Sequence, residues 1–149
     1  MFVCSGCTVS EVITAERTEL EVASLDVPEN MLLDVGIINF AAGVPEGNDA
    51  DDTGIYPEVR QAEARYIPYH LKTTLQGTGF WGAVRVIPSR YVYTDVILSG
   101  VIEESDGEFV TLRVTAEDSK GRHWYEREYA IAYPFEELTA ARATDGARR

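Results

Sequence analysis

The chain has 149 residues, a length that suits one domain with a buried core. Its formal net charge is −12, with 25 acidic and 13 basic side chains, which argues against a nucleic-acid partner because phosphates need a basic face. The same charge opposes electrostatic binding to anionic lipid headgroups. No segment approaches the ~18 apolar residues of a membrane-spanning helix, so any membrane attachment would have to be covalent.

Both cysteines, Cys4 and Cys7, lie within the first seven residues. A redox C-x-x-C pair would need a preceding strand and a following helix, which the sequence lacks. A zinc site would need further ligands, and the other candidates, His70 and His123, are far along the chain. Two incidental cysteines in a cytosolic protein are a further alternative.

The interpretation we favour is a lipobox, because Ser5 and Gly6 supply the small residues that precede a lipid-modified cysteine. Residues 1–7 would then be the end of a signal peptide plus the lipidated Cys7, with the true start upstream. The polar, acid-rich segment 8–30 would be a tether. Thr8, directly after the cysteine, favours a periplasm-facing protein of the outer membrane.

The first half of the body predicts a strand, a loop and a helix. Residues 32–40 are aliphatic and β-branched, and Gly36 within them indicates a bulge or a close contact. Residues 41–54 form an acidic loop whose carboxylates do not match a calcium-binding EF-hand. Residues 57–76 carry a helical apolar stripe, and Pro68 predicts a bend or a fresh start there.

The second half predicts a strand at 80–88 and then a three-strand antiparallel meander at 94–104, 109–117 and 123–133. In the second meander strand apolar and polar residues alternate, as in a half-exposed strand. The apolar face holds Val110, Leu112, Val114 and Ala116. In the third, one face carries Tyr125, Arg127, Tyr129, Ile131 and Tyr133.

A short helix at 135–143 and a tail at 144–149 complete the prediction. The fold class is α+β, a single domain over 31–143 in which a helix packs on one face of a mixed sheet. The first two strands should be parallel if they are neighbours.

No motif indicates catalysis, a cofactor or a metal. The two histidines lie in no recognisable nucleophile–base arrangement, and no glycine-rich phosphate loop is present. The acidic side chains Glu103, Glu104, Asp106 and Glu108 cluster at a hairpin tip, whereas paired acids for hydrolysis would have to lie in a cleft. We therefore expect a protein that is not an enzyme.

Aromatic side chains offer a different indication, because they often anchor protein partners. Tyr91 and Tyr93 stand in a polar loop and are the stronger candidates for an interaction surface, with Phe80 and Trp81 added to them. The alternative is that the aromatic residues are core and sheet-surface packing.

Several segments carry a resemblance to a known group of proteins. They are residues 37–40, 71–79, 83–86, 94–102 and 121–124. Together they resemble the auxiliary lipoproteins of ABC-type envelope transport systems, and more distantly the curli-secretion lipoprotein and the lipoprotein activators of cell-wall synthases. The resemblance implies a non-catalytic module that bridges or assembles an envelope protein complex. Gly100, inside one of these segments, indicates that something packs closely over the sheet there.

The sequence therefore favours a lipid-anchored accessory module of the bacterial envelope that acts through protein contacts. The alternative is a soluble module that binds a small ligand or a lipid, without an anchor, in a pocket between the sheet and the helix.

Overall fold

The computed structural model describes the backbone of residues 12–14 and all of residues 19–44, 56–107 and 109–132. These residues form a six-stranded mixed sheet with one long helix packed on one face, so the α+β class is confirmed. In chain order the elements are β1 (Val12–Thr14), a 3-10 turn (Glu29–Met31), β2 (Val35–Ile38), α1 (Pro57–Thr78), β3 (Val84–Ile87), β4 (Val96–Ser105), β5 (Phe109–Asp118) and β6 (His123–Ala132).

The strands lie in the order β1-β6-β5-β4-β2-β3. Strand β2 is parallel to both β3 and β4, which confirms the predicted parallel arrangement of the first two body strands. Strands β4, β5 and β6 form the predicted antiparallel meander. The alternation of side chains along each strand gives this sheet one face toward α1 and one face away from it.

Strand β1 was not predicted. It pairs in parallel with β6, with Val12 opposite Glu128, and so part of the segment predicted as a tether belongs to the sheet. Three residues are too few to display an alternating pattern, so no periodicity in the sequence indicates this strand.

Helix α1 has Pro57 in its first turn and ends at Thr78, and Gly79, with a positive φ of 72°, caps it in the left-handed conformation. It continues unbroken through Pro68, so the alternative in which a second helix begins there is wrong. Proline lacks the N–H that would bond to the carbonyl of Ala64. That carbonyl instead accepts a hydrogen bond from the N–H of Phe40, at 3.0 Å.

The core lies between α1 and the strands β2, β3 and β4, its main packing partners. Its buried apolar side chains come mainly from alternate positions of the strands. They include Val35 and Ile37 of β2, Val84 of β3, Val96, Leu98 and Ile102 of β4, and Val114 and Ala116 of β5.

Gly100 of β4 has the close neighbour that the sequence indicated. The ring of Phe40 lies over it, and a Cβ added to Gly100 would stand 2.7 Å from the Cε2 atom of that ring. Phe40 is 5% exposed, so its ring has little room to move.

The connection from β3 to β4 crosses β2 on the face away from α1. Gly36 makes room for it, since a Cβ there would lie 2.5 Å from Ile87 and 2.9 Å from Thr94. The Thr94 hydroxyl donates to the carbonyl of Asp34 at 2.9 Å, and the Asp34 carboxylate accepts from the N–H of Ala83 at 2.7 Å. The predicted close contact at Gly36 is therefore confirmed, and these bonds join the three parallel strands at one end.

Several predictions fall outside the described residues. They concern residues 1–7 with Cys4 and Cys7, most of the acidic loop 41–54, Glu108, Tyr133, the helix at 135–143 and the tail at 144–149.

We predict that Gly100→Ala lowers the free energy of unfolding by about 1–3 kcal/mol, because the new methyl group overlaps the ring of Phe40. Denaturant unfolding measures the change. Ser99→Ala, one residue away on the opposite face, is the control and should have little effect. The loss should shrink when Gly100→Ala is made in a Phe40→Leu background, and an undiminished loss would contradict the assignment.

Candidate functional site

A groove lies between α1 and the far half of the sheet. Helix α1 covers β2, β3 and β4, and the apolar face continues beyond it across β5 and β6. The groove has a volume of about 570 Å³. Its floor is formed by side chains of the last three strands, namely Leu98, Val110, Leu112, Val114, Tyr125, Tyr129 and Ile131. Its wall is formed by Tyr66, Ile67, His70, Leu71, Thr74 and Leu75 of α1, and Phe40 also contributes to the lining.

The faces predicted from sequence meet in this groove. Val110, Leu112 and Val114 share it with Tyr125, Tyr129 and Ile131, as the alternation in β5 and β6 requires. The helical stripe Ile67, Leu71 and Leu75 also lies there. The sequence thus identified both surfaces but not the space between them, because their separation depends on where α1 sits on the sheet.

The lining is mostly apolar and only partly buried. Val114 is 8% exposed, whereas Tyr125 is 38% exposed. Polar atoms come from tyrosine hydroxyls, Thr74 and His70, and the His70 ring stacks on Tyr66 with centroids 6.0 Å apart. His70 itself is exposed. Such a lining fits an apolar group that keeps one side in contact with water.

Burial raises the pKa of the Tyr125 phenol, and the neighbouring Tyr129 adds to this effect. The guanidinium of Arg127, 5.7 Å from the Tyr125 ring centroid, acts in the opposite direction. Tyr125 therefore stays protonated at neutral pH and can donate a hydrogen bond at the edge of the groove.

The turn between β5 and β6 fixes the register that brings Tyr125 into the groove. The Asp118 carboxylate accepts from the N–H groups of Lys120 and Arg122, both at 2.9 Å, and pairs with the Arg122 guanidinium at 3.1 Å. Gly121 completes the turn with a φ of 76°. The N–H of Arg122 has the largest effect on Asp118 and holds the pKa of this carboxyl below its ordinary value of 3.8.

The described residues contain no group of three or more histidine, cysteine, aspartate or glutamate side chains placed to hold a metal ion. His70 lies on α1, where its ring stacks on Tyr66, and His123 lies at the start of β6. What the groove offers chemically is apolar contact with a few polar groups at its edge.

The four aromatic residues predicted as an interaction surface are divided between two loops. Tyr91 and Tyr93, on the connection that crosses β2, are 92% and 91% exposed. Phe80, which follows α1, is also exposed, but Trp81 packs against the core, which agrees with the packing alternative for that residue. No ring contact joins any of the four. The structure therefore offers two strongly exposed tyrosines and a separate exposed Phe80 rather than one aromatic cluster.

Phe40, Tyr66 and His70 are groove residues that sequence reasoning did not identify. Tyr66 and His70 are four residues apart, a spacing that places two side chains together on a helix. That spacing was the available signal. No such sequence signal marks Phe40, because its position depends on the carbonyl of Ala64, which Pro68 leaves without its helical partner.

Comparisons with protein-family models, with curated proteins and with solved structures gave no match. Among the described residues, no helix is both long enough and apolar enough to cross a membrane.

We predict a pH-dependent contribution of Asp118 to stability. Because the pKa is lower in the folded state, the stabilisation is present above pH 3.8 and is lost as the pH falls through the lowered value. The denaturation midpoints of the wild type and Asp118→Asn should therefore differ at pH 6 and converge in strong acid. Asp26→Asn, at an exposed carboxyl, is the control. A difference between wild type and Asp118→Asn that is independent of pH would contradict the prediction.

Proposed function

We propose that this protein is a non-catalytic accessory module of the bacterial envelope that holds a helix of a partner protein in the groove between α1 and strands β5 and β6. The observation that carries the proposal is the apolar face of these strands, which α1 leaves uncovered beside its own apolar wall. Binding of an amphipathic helix in an apolar groove is a recurrent mode of protein recognition.

The dimensions of the groove suit a helix. Neighbouring strands lie ~4.8 Å apart, so β5 and β6 together present a strip about 10 Å wide. A helix with its side chains is ~10 Å across and packs 8–10 Å from a neighbouring helix. One helix would therefore fill the strip beside α1. Its apolar stripe would contact Leu112 and Ile131 on the floor and Leu71 on the wall.

Charge indicates the chemistry of the partner helix. The chain carries a net charge of −12, so a helix with basic side chains on its polar face would be attracted and an acidic one repelled. The proposed partner is thus an amphipathic helix with leucine-like residues on one face and lysine or arginine on the other.

A second candidate is a small apolar ligand, such as a lipid, in the same groove. The volume of about 570 Å³ lies within the range typical of small-molecule sites and favours this alternative. Solvent extraction of the purified protein followed by mass spectrometry distinguishes the two. A stoichiometric lipid that is missing from a groove variant would support the second candidate against the first.

The proposal also includes the membrane anchor. A lipid on Cys7 would hold the acidic domain at the envelope, facing the periplasm and most simply at the outer membrane. The support comes from the sequence: Ser5 and Gly6 before Cys7, Thr8 after it, and the resemblance to envelope lipoproteins. The partner would then belong to an envelope protein complex.

The groove is tested with a fluorescent Leu/Lys peptide of about 14 residues, long enough to span the groove as a helix. Anisotropy measures its binding to the full chain. We predict that Leu112→Asp weakens binding about tenfold or more, because a carboxylate would be buried against the leucine face of the peptide.

Thr115→Asp is the matched control, since it adds the same charge to the same strand on the opposite face and should leave the affinity nearly unchanged. A peptide of the same composition in scrambled order controls for charge alone. Equal binding of the two peptides, or equal effects of the two variants, would contradict the groove as the site.

The anchor is tested by labelling with a palmitate analogue in bacteria that express the gene with its own upstream sequence. We predict that the wild type is labelled and sediments with membranes, that Cys7→Ser loses both properties, and that Cys4→Ser keeps them. An unlabelled, soluble wild type would end the lipoprotein proposal.

A further inference from the structure

Strand β3 forms one edge of the sheet, with β2 on one side and no described strand on the other. The N–H of Val35 in β2 donates to the carbonyl of Ala83, just before β3, at 2.9 Å. Parallel strands bond through alternate residues, so the backbone of Arg85 also faces β2, while that of Val84 and Val86 points outward. Each of these two valines therefore presents one donor and one acceptor to an added strand.

A cleft lies between this edge and α1, on the flank of the helix that faces away from the groove. Its volume is about 590 Å³, and it is lined by residues 83–86 and by Tyr69, Lys72 and Gln76 of α1. The three helix residues are three and four positions apart and so share one face. Tyr69 is 59% exposed, and the Nζ atom of Lys72 lies 5.5 Å from the centroid of its ring. A strand added ~4.8 Å beyond β3 would have this helix face against one of its two sides.

The side chains of β3 alternate between the two faces of the sheet. Val84 is 2% exposed and belongs to the core beneath α1, so Val86 shares that face. Arg85 is exposed on the opposite face. Residues opposite the two valines would therefore lie toward Tyr69, and a residue between them would lie beside the guanidinium of Arg85. The edge thus suits apolar residues at alternate positions with a charged residue between them.

The charges at this edge indicate the sign of that residue. Neither Lys72 nor Arg85 forms an ion pair with a carboxylate of the described residues. At physiological salt the Debye length is ~8 Å, so these two cations act on an added strand more strongly than distant carboxylates do. An acidic residue is therefore the complement of this edge, although the chain as a whole is acidic.

The edge is also short. Strand β3 has four residues, and Pro88 follows it directly. Short edge strands and prolines are features that oppose unlimited edge-to-edge assembly of sheets. The site therefore suits a short extended segment.

We propose that an extended segment of a partner protein adds to the β3 edge beside α1 as a further strand, with apolar residues at alternate positions and aspartate or glutamate between them. Backbone hydrogen bonds supply affinity in this mode of recognition, and the alternate side chains supply specificity. The site is separate from the groove beside β5 and β6, and so it does not depend on the function proposed for that groove.

The backbone bonds are tested with a fluorescent peptide of about six residues in which valine and glutamate alternate, enough to span β3. Anisotropy measures its binding to the full chain. Two further peptides are N-methylated, one on the valines and the other on the glutamates. Because successive N–H groups of a strand point to opposite sides, one of these peptides should bind at least tenfold more weakly and the other should keep most of its affinity. Loss with the methylated valines would indicate an antiparallel strand, and loss with the methylated glutamates a parallel one. An equal effect of the two methylations, or no binding of the unmodified peptide, would overturn the inference.

The charge preference is tested with Arg85→Glu, which should weaken binding of the Val/Glu peptide about fivefold and strengthen binding of the corresponding Val/Lys peptide. Lys120→Glu, in the turn between β5 and β6, changes the net charge equally and should leave both affinities nearly unchanged. Equal effects of the two variants would overturn the inference. Dimers that Arg85→Glu dissociates in sedimentation experiments, in a chain that does not bind the peptide, would overturn it in favour of a second copy at this edge.

Discussion

The placement of a single helix on a six-stranded sheet determines which part of the sheet's apolar face stays uncovered in the described domain. Helix α1 connects two parallel strands, and it packs over β2, β3 and β4. A helix about 10 Å wide cannot also cover a meander that extends the sheet further. Strands β5 and β6 nevertheless direct apolar residues such as Leu112 and Tyr129 to the same face as the core. An exposed apolar surface of this kind usually marks a contact with another element or another molecule.

The lining of the groove depends on a short chain of local causes. Pro68 cannot donate to the carbonyl of Ala64, and that carbonyl binds the N–H of Phe40. The ring of Phe40 then lies on Gly100, where any larger residue would obstruct it. A helix-breaking residue inside a helix thus secures the segment that follows β2 and positions one aromatic side chain of the binding surface.

Periodicity predicted the elements well because each has a strong one-dimensional signal. The alternation in β5 and the stripe of α1 identified the faces that meet in the groove, and glycine at positions 36 and 100 indicated close approaches that the structure contains. What the sequence could not provide were features that depend on three-dimensional placement. Strand β1 exists because β6 offers a free edge, and the width of the groove depends on where α1 rests.

Arg60 is a further residue whose role depends on three-dimensional placement and could not be predicted from the sequence. Arginine is rarely fully buried, yet Arg60 is 1% exposed and donates to the carbonyl of Ile102 at 3.1 Å. In the sequence it is one of 13 scattered basic residues, and only its position near the end of β4 gives it this role. On the next turn of α1, Glu63 accepts a bond from the Ser105 hydroxyl at 2.9 Å. These two bonds fix the first turns of α1 to the end of β4, and thereby fix the wall of the groove.

The proposal that a helix occupies this groove is tested most directly by NMR of the full chain labelled at its isoleucine, leucine and valine methyl groups, during titration with the Leu/Lys peptide. We predict that the methyl resonances of Leu112, Ile131 and Leu71 shift together and saturate, while those of Val101 and Ile38 on the opposite side of the sheet stay in place. Shifts confined to that opposite side, or spread evenly over the surface, would contradict it.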